Sequence, residues 1–339
     1  MRVLLVDTIN NIPSHKQYQD LALKLSQKGH EVYHLSDTKR ADYGLIKVIF
    51  YNKNDHFFLL AQQYYKVFRR IKPDVVISTF RSNIYVDLLS YLINFKWYAT
   101  YQSAFFKKSL INRLRYRSLD NMITLSSNMK SELVKIYPHL KNRIQVVPNS
   151  INFEFKGEIF KKNILLHVGN DLINAEGNLV KGTDLLIKAF NLSKESLPQD
   201  SELHIIGAYS EQFKSKNYYK NVVFLGRRSH NEVLQHMSKA RVFALPSRNE
   251  AFGQVYIEAM QYGCTLIGAE KTGAVDIIEK GVYGFLISQE SELELSQAID
   301  NSFNLYESPE NCIEVYKEKI NEFSRDSWLN RMLSLVTHE

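Results

Sequence analysis

Cysteine is scarce in this chain, with two among 339 residues. Cys264 and Cys312 stand far apart, and neither lies at the spacing of a metal site. This excludes a disulfide-stapled scaffold and indicates a reducing compartment. Glycine is also sparse, at 14 residues, and no low-complexity or Pro/Ser-rich stretch predicts a flexible linker.

Long apolar runs are absent as well. The run from Met1 to Val6 ends at the polar Asp7, which makes it too short for a signal peptide. No stretch approaches the roughly 18 apolar residues of a membrane span. We therefore expect a cytoplasmic protein, with peripheral contact to the inner face of the cell membrane left open.

Acidic residues are few in the first half of the chain. Residues 1–157 carry 24 Lys and Arg against 11 Asp and Glu, whereas the remainder carries 19 against 25. This asymmetry predicts that the first half meets an anionic surface or substrate. No helix-turn-helix, zinc-finger or RNA-binding motif accompanies the basic residues, so nucleic acid is not expected as a partner.

What the chain does contain is a regular alternation of short apolar strands and helical segments. Strands at 2–6 and 31–35 flank a helix at 18–28, and strands at 164–168 and 202–206 flank a helix at 183–192. Such alternation predicts α/β domains with parallel, doubly wound sheets. The length suits two domains of ordinary size.

The stretch from Pro246 to Gly263, PSRNEAFGQVYIEAMQYG, carries the clearest chemistry. It places Glu250 on a loop and Glu258 a little over two turns into the following helix, on nearly the same side. Backbone N–H groups near Gly253 are the unpaired donors of a helix start, which favour anions. Two acceptors for hydroxyls beside a phosphate cradle suit a nucleotide sugar. The segment resembles the Glu-x7-Glu signature of retaining GT-B glycosyltransferases, in particular glycosyltransferase family 4 (glycosyl transferases group 1).

The resemblance covers nearly the whole chain, strongly from about residue 144 onward. It implies a GT-B fold, in which two Rossmann-like domains with parallel sheets face each other across a cleft. We expect an acceptor-binding domain at 1–157 and a nucleotide-sugar-binding domain at 158–310. Helices at 311–339 should follow, the last of them crossing back to the first domain.

A second family-like element runs from His167-Val-Gly-Asn170 to Lys181-Gly182-Thr183. The resemblance makes Lys181 the cation that stabilises the leaving nucleoside diphosphate, while Gly182 lets the backbone approach at a helix start. Asn170 stands where the family commonly has an arginine. Arg248 or Arg228 could supply a second cation from a neighbouring loop, although an arginine in such a place is more often an ordinary surface residue.

The resemblance also assigns roles around the donor. Lys181 and Glu250 are the expected catalytic residues, with Glu250 accepting hydrogen bonds from the sugar hydroxyls and Glu258 from the ribose. Gly226 and Arg227 are candidates for the nucleobase. The full set of expected donor-binding residues is Gly169, Asn170, Gly182, Gly226, Arg227, Arg248, Ala251, Phe252, Gly253 and Glu258.

The first domain departs further from the family pattern. The loop from Thr8 to His15 contains no glycine, and Gln102 stands where a histidine is common. His15 and Gln102 are the acceptor-side candidates. The segment from Phe105 to Arg117 combines apolar and basic residues at near-helical spacing, which suits an anionic membrane surface as well as an ordinary domain helix.

The implied function is retaining transfer of a hexose or N-acetylhexosamine from a nucleotide-diphosphate sugar, with UDP favoured. The acceptor would be a glycan or lipid-linked saccharide in surface polysaccharide or glycoconjugate assembly. No metal or other cofactor is expected, because the leaving phosphate itself can take the acceptor proton. Two alternatives stay open: a catalytically weak GT-B accessory or binding protein, suggested by Asn170 and Gln102, and a nucleotide-sugar epimerase. No residue indicates an oligomeric state.

Overall fold

The structure of the chain is a computed structural model. The residues it describes are 1–7, 14–36, 42, 44–52, 54–79, 84–102, 112, 116, 119–151, 158–170, 172–174, 176–216 and 219–337. The chain divides into two compact units, Met1–Ser150 with Arg325–Glu339, and Ile151–Ser324. The boundary predicted at Gly157 lies outside the described residues.

A parallel sheet forms the centre of the first unit. Its strand order is β3-β2-β1-β4-β5-β6-β7 within the described ranges. The chain thus starts in the middle of the sheet and moves outward in both directions, as doubly wound folds do. The strands are β1 (Arg2–Asp7), β2 (Glu31–Ser36), β3 (Lys47–Phe50), β4 (Val75–Thr79), β5 (Lys96–Tyr101), β6 (Asn121–Thr124) and β7 (Ile144–Val146).

Helices cover both faces of this sheet. They are α1 (Ser14–Gln27), α2 (Phe57–Ile71), α3 (Ile84–Ser90) and α4 (Ser127–Ile136), with a short 3₁₀ turn at Pro138–Leu140. Side chains of β1 alternate between the faces. Val3 and Leu5 belong to the core on the α1 side, whereas Leu4 and Val6 belong to the core beneath α2, α3 and α4.

The second unit repeats the arrangement. Its sheet order is β10-β9-β8-β11-β12-β13, again with every pair parallel. The strands are β8 (Lys162–Val168), β9 (Glu202–Ile206), β10 (Val222–Gly226), β11 (Ala240–Leu245), β12 (Thr265–Ala269) and β13 (Gly284–Ile287). The predicted α/β class, with two parallel-sheet units, is confirmed.

Local signals explain where the helices of this unit begin. Ser229 and Glu232 form a reciprocal capping box, which satisfies two N–H donors at a helix start. Ser291 and Ser308 each accept a hydrogen bond from an N–H of the first turn that follows. The helices are α5 (Thr183–Leu192), α6 (Glu211–Lys216), α7 (His230–Lys239), α8 (Gln254–Gln261), α9 (Val275–Ile278), α10 (Glu292–Asn304) and α11 (Pro309–Glu322).

The last helix, α12 (Arg325–Thr337), belongs to the first unit. Trp328 is buried there and meets Tyr18 of α1 edge-on, with ring centroids 5.3 Å apart. Met332 and Val336, one turn apart, are buried in the same core. None of the helices in the described part of the chain combines the length and the apolar character needed to cross a bilayer.

Candidate active site

The second sheet has a topological switch between β8 and β11, which are neighbours although their connections lead in opposite directions. Ligands of open α/β sheets bind at such a point, outside the carboxyl ends of the strands. The loops that follow β8 and β11 bring Lys181 and Glu250 together. Nζ of Lys181 lies 2.6 Å from Oε2 of Glu250, and the two side chains are only 26% and 14% exposed. The two expected catalytic residues therefore form a partly buried ion pair.

Gly182 holds the backbone beside Lys181 in place. It precedes α5 in the left-handed conformation, with φ of 69°. A Cβ at this position would lie 2.1 Å from the carbonyl oxygen of Pro246. Glycine, which has no Cβ, therefore allows the two loops to pack closely. The N–H of Arg248 donates to the carbonyl of Val180 at 2.8 Å and joins the same loops again. The start of α5 is thereby fixed next to the ion pair.

A second helix start lies on the other side of Glu250. Gly253 precedes α8 with φ of 89°. Phe252 is buried and packs against Phe323, with ring centroids 5.4 Å apart. The N–H of Gly273 donates to the carbonyl of Glu250 at 2.9 Å, and a Cβ on Gly273 would lie 2.5 Å from the carbonyl oxygen of Ala251. The loop before α8 is therefore held closely by its neighbours.

Glu258 lies within α8, as the apolar periodicity predicted. Its side chain is 19% exposed, and Oε1 lies 4.0 Å from Nε2 of His230, the first residue of α7. Burial raises the pKa of Glu258, and the nearby His230 opposes that shift. A carboxylate in this setting is suited to accept hydrogen bonds from a diol.

The expectation for Arg248 needs correction. Nη1 and Nη2 donate to the two oxygens of Asp184 at 2.7 and 2.9 Å, and Nη2 and Nε donate to the carboxylate of Glu290. The side chain is 11% exposed. Burial lowers the pKa of Arg248, but the bonds to Glu290 and Asp184 outweigh it and raise the pKa overall. Because two carboxylates already balance its charge, Arg248 is a structural crosslink between loops and not the expected second cation.

A buried series of hydrogen bonds through His167 connects the same loops. Nδ1 of His167 lies 2.9 Å from the carbonyl oxygen of Ala244, and Nε2 lies 2.9 Å from Oγ1 of Thr183. Oγ1 of Thr183 in turn lies 2.7 Å from the hydroxyl of Tyr209. Burial lowers the pKa of His167 to about 4. The imidazole is therefore neutral, donating to Ala244 and accepting from Thr183, which accepts from Tyr209.

The sequence did not predict this series of hydrogen bonds. Its one local signal is a histidine at the end of an otherwise apolar strand, KNILLHV. The partners of His167 come from the start of α5, from the segment after β9 and from the end of β11, so no short motif contains them. A Cβ on Gly169 would lie 2.6 Å from Nε2 of His167, which places the imidazole directly against the loop after β8.

The remaining expected donor residues lie on the loop that follows β8 and at the carboxyl end of β10. The N–H of Gly169 donates to the carbonyl of Ile206 at 2.9 Å. Oδ1 of Asn170 accepts from the N–H of Leu172 at 3.3 Å, so this side chain helps to shape its own loop. Gly226 has φ of 71°, and its carbonyl accepts from the N–H of Gly207.

The two arginines after Gly226 are both exposed. Arg227 directly follows β10, so it stands at the carboxyl end of a strand, as the resemblance implied. Arg228 was the other candidate for the second cation. Its Nε lies 3.9 Å from Oε1 of Glu232, the residue that completes the capping box of α7. That carboxylate offsets the charge of Arg228.

The acceptor-side candidates belong to the first unit. His15 is the second residue of α1, and Gln102 directly follows β5 and is half-buried. Of the segment from Phe105 to Arg117, only Asn112 and Tyr116 are among the described residues. Across the described ranges, no group of three or more His, Cys, Asp or Glu side chains is placed to hold a metal ion.

Two doubly wound units, with a lysine–glutamate pair at the switch point of the second, define an α/β protein of the GT-B glycosyltransferase class. Residues 150–319 match the sequence profile of the family described as glycosyl transferases group 1, and residues 16–155 match that of glycosyltransferase family 4. The chain belongs to the glycosyl transferases group 1 family. The resemblance inferred from the Glu-x7-Glu segment is thus confirmed.

Individual relatives and solved structures agree with this assignment. An uncharacterized glycosyltransferase of Methanocaldococcus jannaschii is 30% identical over 60% of this chain and 56% of its own. A Campylobacter jejuni enzyme is 26% identical over 56% of this chain and 54% of its own. Its name describes a 4-alpha-N-acetylgalactosaminyltransferase for a saccharide on diphospho-undecaprenol. The chain therefore spans about half the length of the curated relatives it matches.

Two solved structures share the fold across nearly their full length. The lipopolysaccharide outer core galactosyltransferase WaaB has a TM-score of 0.77, at 15% identity, over 100% of this chain and 99% of its own. Anabaena HepE in complex with UDP and glucose has a TM-score of 0.69, at 16% identity, over 100% of both chains. At these identities the likeness establishes the fold.

Proposed function

We propose that this protein is a retaining glycosyltransferase that moves a hexose or N-acetylhexosamine from a nucleotide-diphosphate sugar to a glycan or lipid-linked saccharide. The observation that carries the proposal is the contact between Lys181 and Glu250 at the switch point, beside the starts of α5 and α8. One ammonium, one carboxylate and two helix starts fit a diphosphate joined to a polyol.

In this proposal each charged group has a separate task. Lys181 stabilises the negative charge that develops on the leaving diphosphate as the glycosidic bond breaks. N–H groups at the starts of α5 and α8 donate to phosphate oxygens. Glu250 accepts hydrogen bonds from the sugar hydroxyls and so fixes the ring, while Glu258 accepts from the ribose.

Retention follows if the acceptor attacks from the face that the diphosphate leaves. The leaving phosphate then takes the acceptor proton, so no protein nucleophile is required. We propose that the reaction also needs no metal, because Lys181 supplies a fixed positive charge at the leaving group. Addition of a chelator should leave the rate unchanged.

Three of the similar proteins support the choice of donor and acceptor. Anabaena HepE is solved with UDP and glucose, which favours a UDP-sugar here. WaaB acts on lipopolysaccharide outer core, and a Staphylococcus aureus relative of 24% identity is a capsular polysaccharide glycosyltransferase. We therefore propose an acceptor among surface polysaccharides or glycoconjugates.

Nucleotide release from UDP-, GDP- and ADP-sugars tests the proposal, with crude membrane glycolipid as acceptor. Lys181→Ala should lower turnover by roughly 100- to 1,000-fold, the usual loss for one fixed group that stabilises transition-state charge. Lys188→Ala is the matched control, because Lys188 forms an exposed ion pair with Glu292 at 2.9 Å in the same unit. It should stay within twofold of the unaltered protein.

The alternatives give different results in the same assay. Tight nucleotide binding without turnover would favour the accessory or binding protein. Free nucleotide released at the same rate with and without acceptor would favour the epimerase. Equal loss in Lys181→Ala and Lys188→Ala would contradict the role given to Lys181.

A further inference from the structure

An unusual set of apolar side chains is exposed on α2 and α3 of the first unit. Phe58 is 84% exposed, Leu92, just after α3, is 73% exposed, and Tyr91 is 63% exposed. Other large apolar side chains exposed on the same two segments are Phe57, Leu59, Tyr65, Ile84 and Leu88. Large apolar side chains exposed in this number on two helices in contact mark a surface that is covered in function.

The two helices enclose a groove between them. It has a cavity volume of about 550 Å³ and is lined almost wholly by apolar and aromatic side chains. Tyr85 and Leu92 both line it, and the ring of Tyr85 is tilted against that of Phe57, with centroids 5.3 Å apart. We call the groove and its exposed rim the α2–α3 face.

Positive charge borders the α2–α3 face and negative charge is scarce on it. The sequence of α2, FFLLAQQYYKVFRRI, contains no carboxylate, and its last turns carry exposed Lys66, Arg69 and Arg70. In α3 the only carboxylate is that of Asp87, which is buried. A second cavity of about 310 Å³, lined in part by Arg2, Arg69 and Lys72, shares Leu92 with the groove.

The carboxylates that border this region already have partners. Asp74 pairs with Arg2 at 3.6 Å and accepts from the N–H of the same residue at 2.6 Å. Asp55, just before α2, accepts from the side-chain amides of Asn52 and Gln63. Arg70 also lowers the pKa of Tyr33, whose hydroxyl donates to Glu31, so part of the charge of Arg70 is offset by that carboxylate. With Lys66 and Arg69, α2 still carries an excess of positive charge.

We propose that the α2–α3 face is a docking surface for an anionic lipid bilayer. Aromatic and leucine side chains at this exposure insert into the boundary between headgroups and acyl chains. The exposed Lys66, Arg69 and Arg70 in the last turns of α2 are attracted to anionic headgroups. A protein partner of ordinary composition would cover the apolar residues but would leave the row of cations without a matching charge. Charge complementarity therefore selects the bilayer.

This surface differs from the one that sequence patterns suggested. The segment from Phe105 to Arg117 has a similar composition but lies largely outside the described residues. The α2–α3 face needs no nucleotide sugar, so the proposal does not depend on the proposed transferase activity. If that activity is correct, docking brings the enzyme to lipid-linked acceptors.

Co-sedimentation with vesicles tests the proposal without any turnover. The full chain should bind vesicles of mixed phosphatidylglycerol and phosphatidylcholine, bind phosphatidylcholine vesicles far less, and lose binding as salt is added. A triple variant, Lys66→Ser with Arg69→Ser and Arg70→Ser, should reduce partitioning roughly 100-fold. A second, Phe58→Ser with Tyr91→Ser and Leu92→Ser, should do the same by removing insertion.

Each triple variant has a matched control. Lys24, Lys28 and Lys141 are exposed cations elsewhere in the first unit, and Phe160, Leu293 and Leu305 are exposed apolar residues of the second. Changing either set to serine should leave vesicle binding unchanged. All the altered side chains are exposed, so each variant should fold, which circular dichroism verifies.

Several outcomes would overturn the proposal. These are no sedimentation of the unaltered chain, equal loss in the controls, or equal binding to neutral and anionic vesicles. A chain that is dimeric in solution and becomes monomeric only in the Phe58 variant would assign the face to self-association instead. Nucleotide release in solution should be the same in all four variants, so failure here is distinguishable from failure of the transferase proposal.

Discussion

Single residues decide how the candidate site holds charge. Lys181 and Glu250 lie mostly out of water, where charges interact more strongly than at an exposed surface. In our proposal the donor diphosphate competes with Glu250 for the same ammonium. Its arrival frees the carboxylate to accept hydrogen bonds from the sugar. Without the donor, Lys181 and Glu250 neutralise each other; with the donor bound, Lys181 pairs with the diphosphate and Glu250 with the sugar.

His167 gives a pH signature that belongs to one residue. The pKa of this buried histidine falls to about 4 in the folded protein, against about 6.5 in the unfolded chain. The unfolded state therefore binds the extra proton between these values, and stability is lost as pH falls through this window. Between pH 7 and 5 the contribution of His167 should fall by about 2 kcal/mol.

Urea unfolding at pH 7 and pH 5 checks this prediction in comparison with His167→Gln. Carboxylates elsewhere titrate in both proteins, so the difference between the two proteins isolates the histidine. The gap in unfolding free energy should change by about 2 kcal/mol between the two pH values. If the difference in unfolding free energy between the two proteins were the same at pH 7 and pH 5, His167 would be charged in the folded state.

Sequence patterns found some of these residues and missed others for a physical reason. Lys181 and Glu250 stand in short segments with strand, turn and helix signals, so each could be placed locally. The roles of His167 and Arg248 depend on partners that are distant in sequence. Arg248 meets Asp184 and Glu290, 64 and 42 residues away. Nothing adjacent in sequence indicates those contacts.

At the scale of elements, the start of α5 depends on one glycine. Gly182→Ala would place a methyl group against the carbonyl of Pro246 and impose a left-handed backbone on alanine. We expect a loss of about 3 kcal/mol or more in the unfolding free energy of the second unit. Far-UV circular dichroism during urea unfolding measures it.

Gly177→Ala is the control for that prediction. Gly177 lies in the same loop and also has positive φ, of 82°, but a Cβ there meets nothing within 4 Å. It should cost only about 1 kcal/mol, the backbone strain alone. Equal losses at Gly177 and Gly182 would show that the approach of the two loops does not matter.

The bounds of helices and strands were predicted correctly where glycines or a change of polarity mark their ends. The predicted helix at 183–192 and strand at 202–206 have those bounds in the structure. The helix at Phe57–Ile71 was not predicted, although its buried residues Leu60, Tyr64, Phe68 and Ile71 recur at helical spacing. Apolar residues of α2 outside this buried stripe, among them Phe58 and Tyr65, contribute to the exposed α2–α3 face. β13 and α10 were also left unassigned, whereas α11 falls within the helices expected at 311–339.

At the scale of the whole molecule, each unit has its own apolar core. Both tryptophans, Trp97 and Trp328, are buried in the first unit, so tryptophan fluorescence reports on that unit alone. Trp328→Ala should destabilise the first unit by about 3–5 kcal/mol because it empties a packed site against Tyr18. Fluorescence of the remaining Trp97 should show the shift during urea unfolding.

Trp328→Phe provides the comparison for this change. It keeps an aromatic ring against Tyr18 and should lose much less stability. In our proposal, adding UDP raises the stability of the second unit and leaves the Trp97 transition where it was. A Trp97 transition that is the same in Trp328→Ala and the unaltered chain would contradict the packing described for α12.

The place of α12 also determines when the first unit can be completed during synthesis. The ribosome makes the rest of that unit first, then all of Ile151–Ser324, and only then the helix that carries Trp328. At ordinary translation rates the interval is on the order of ten seconds or more. During that interval the side of α1 around Tyr18 stays exposed, because Trp328 has not yet been made. The nascent chain should therefore be most open to chaperone capture after its first sheet has been made.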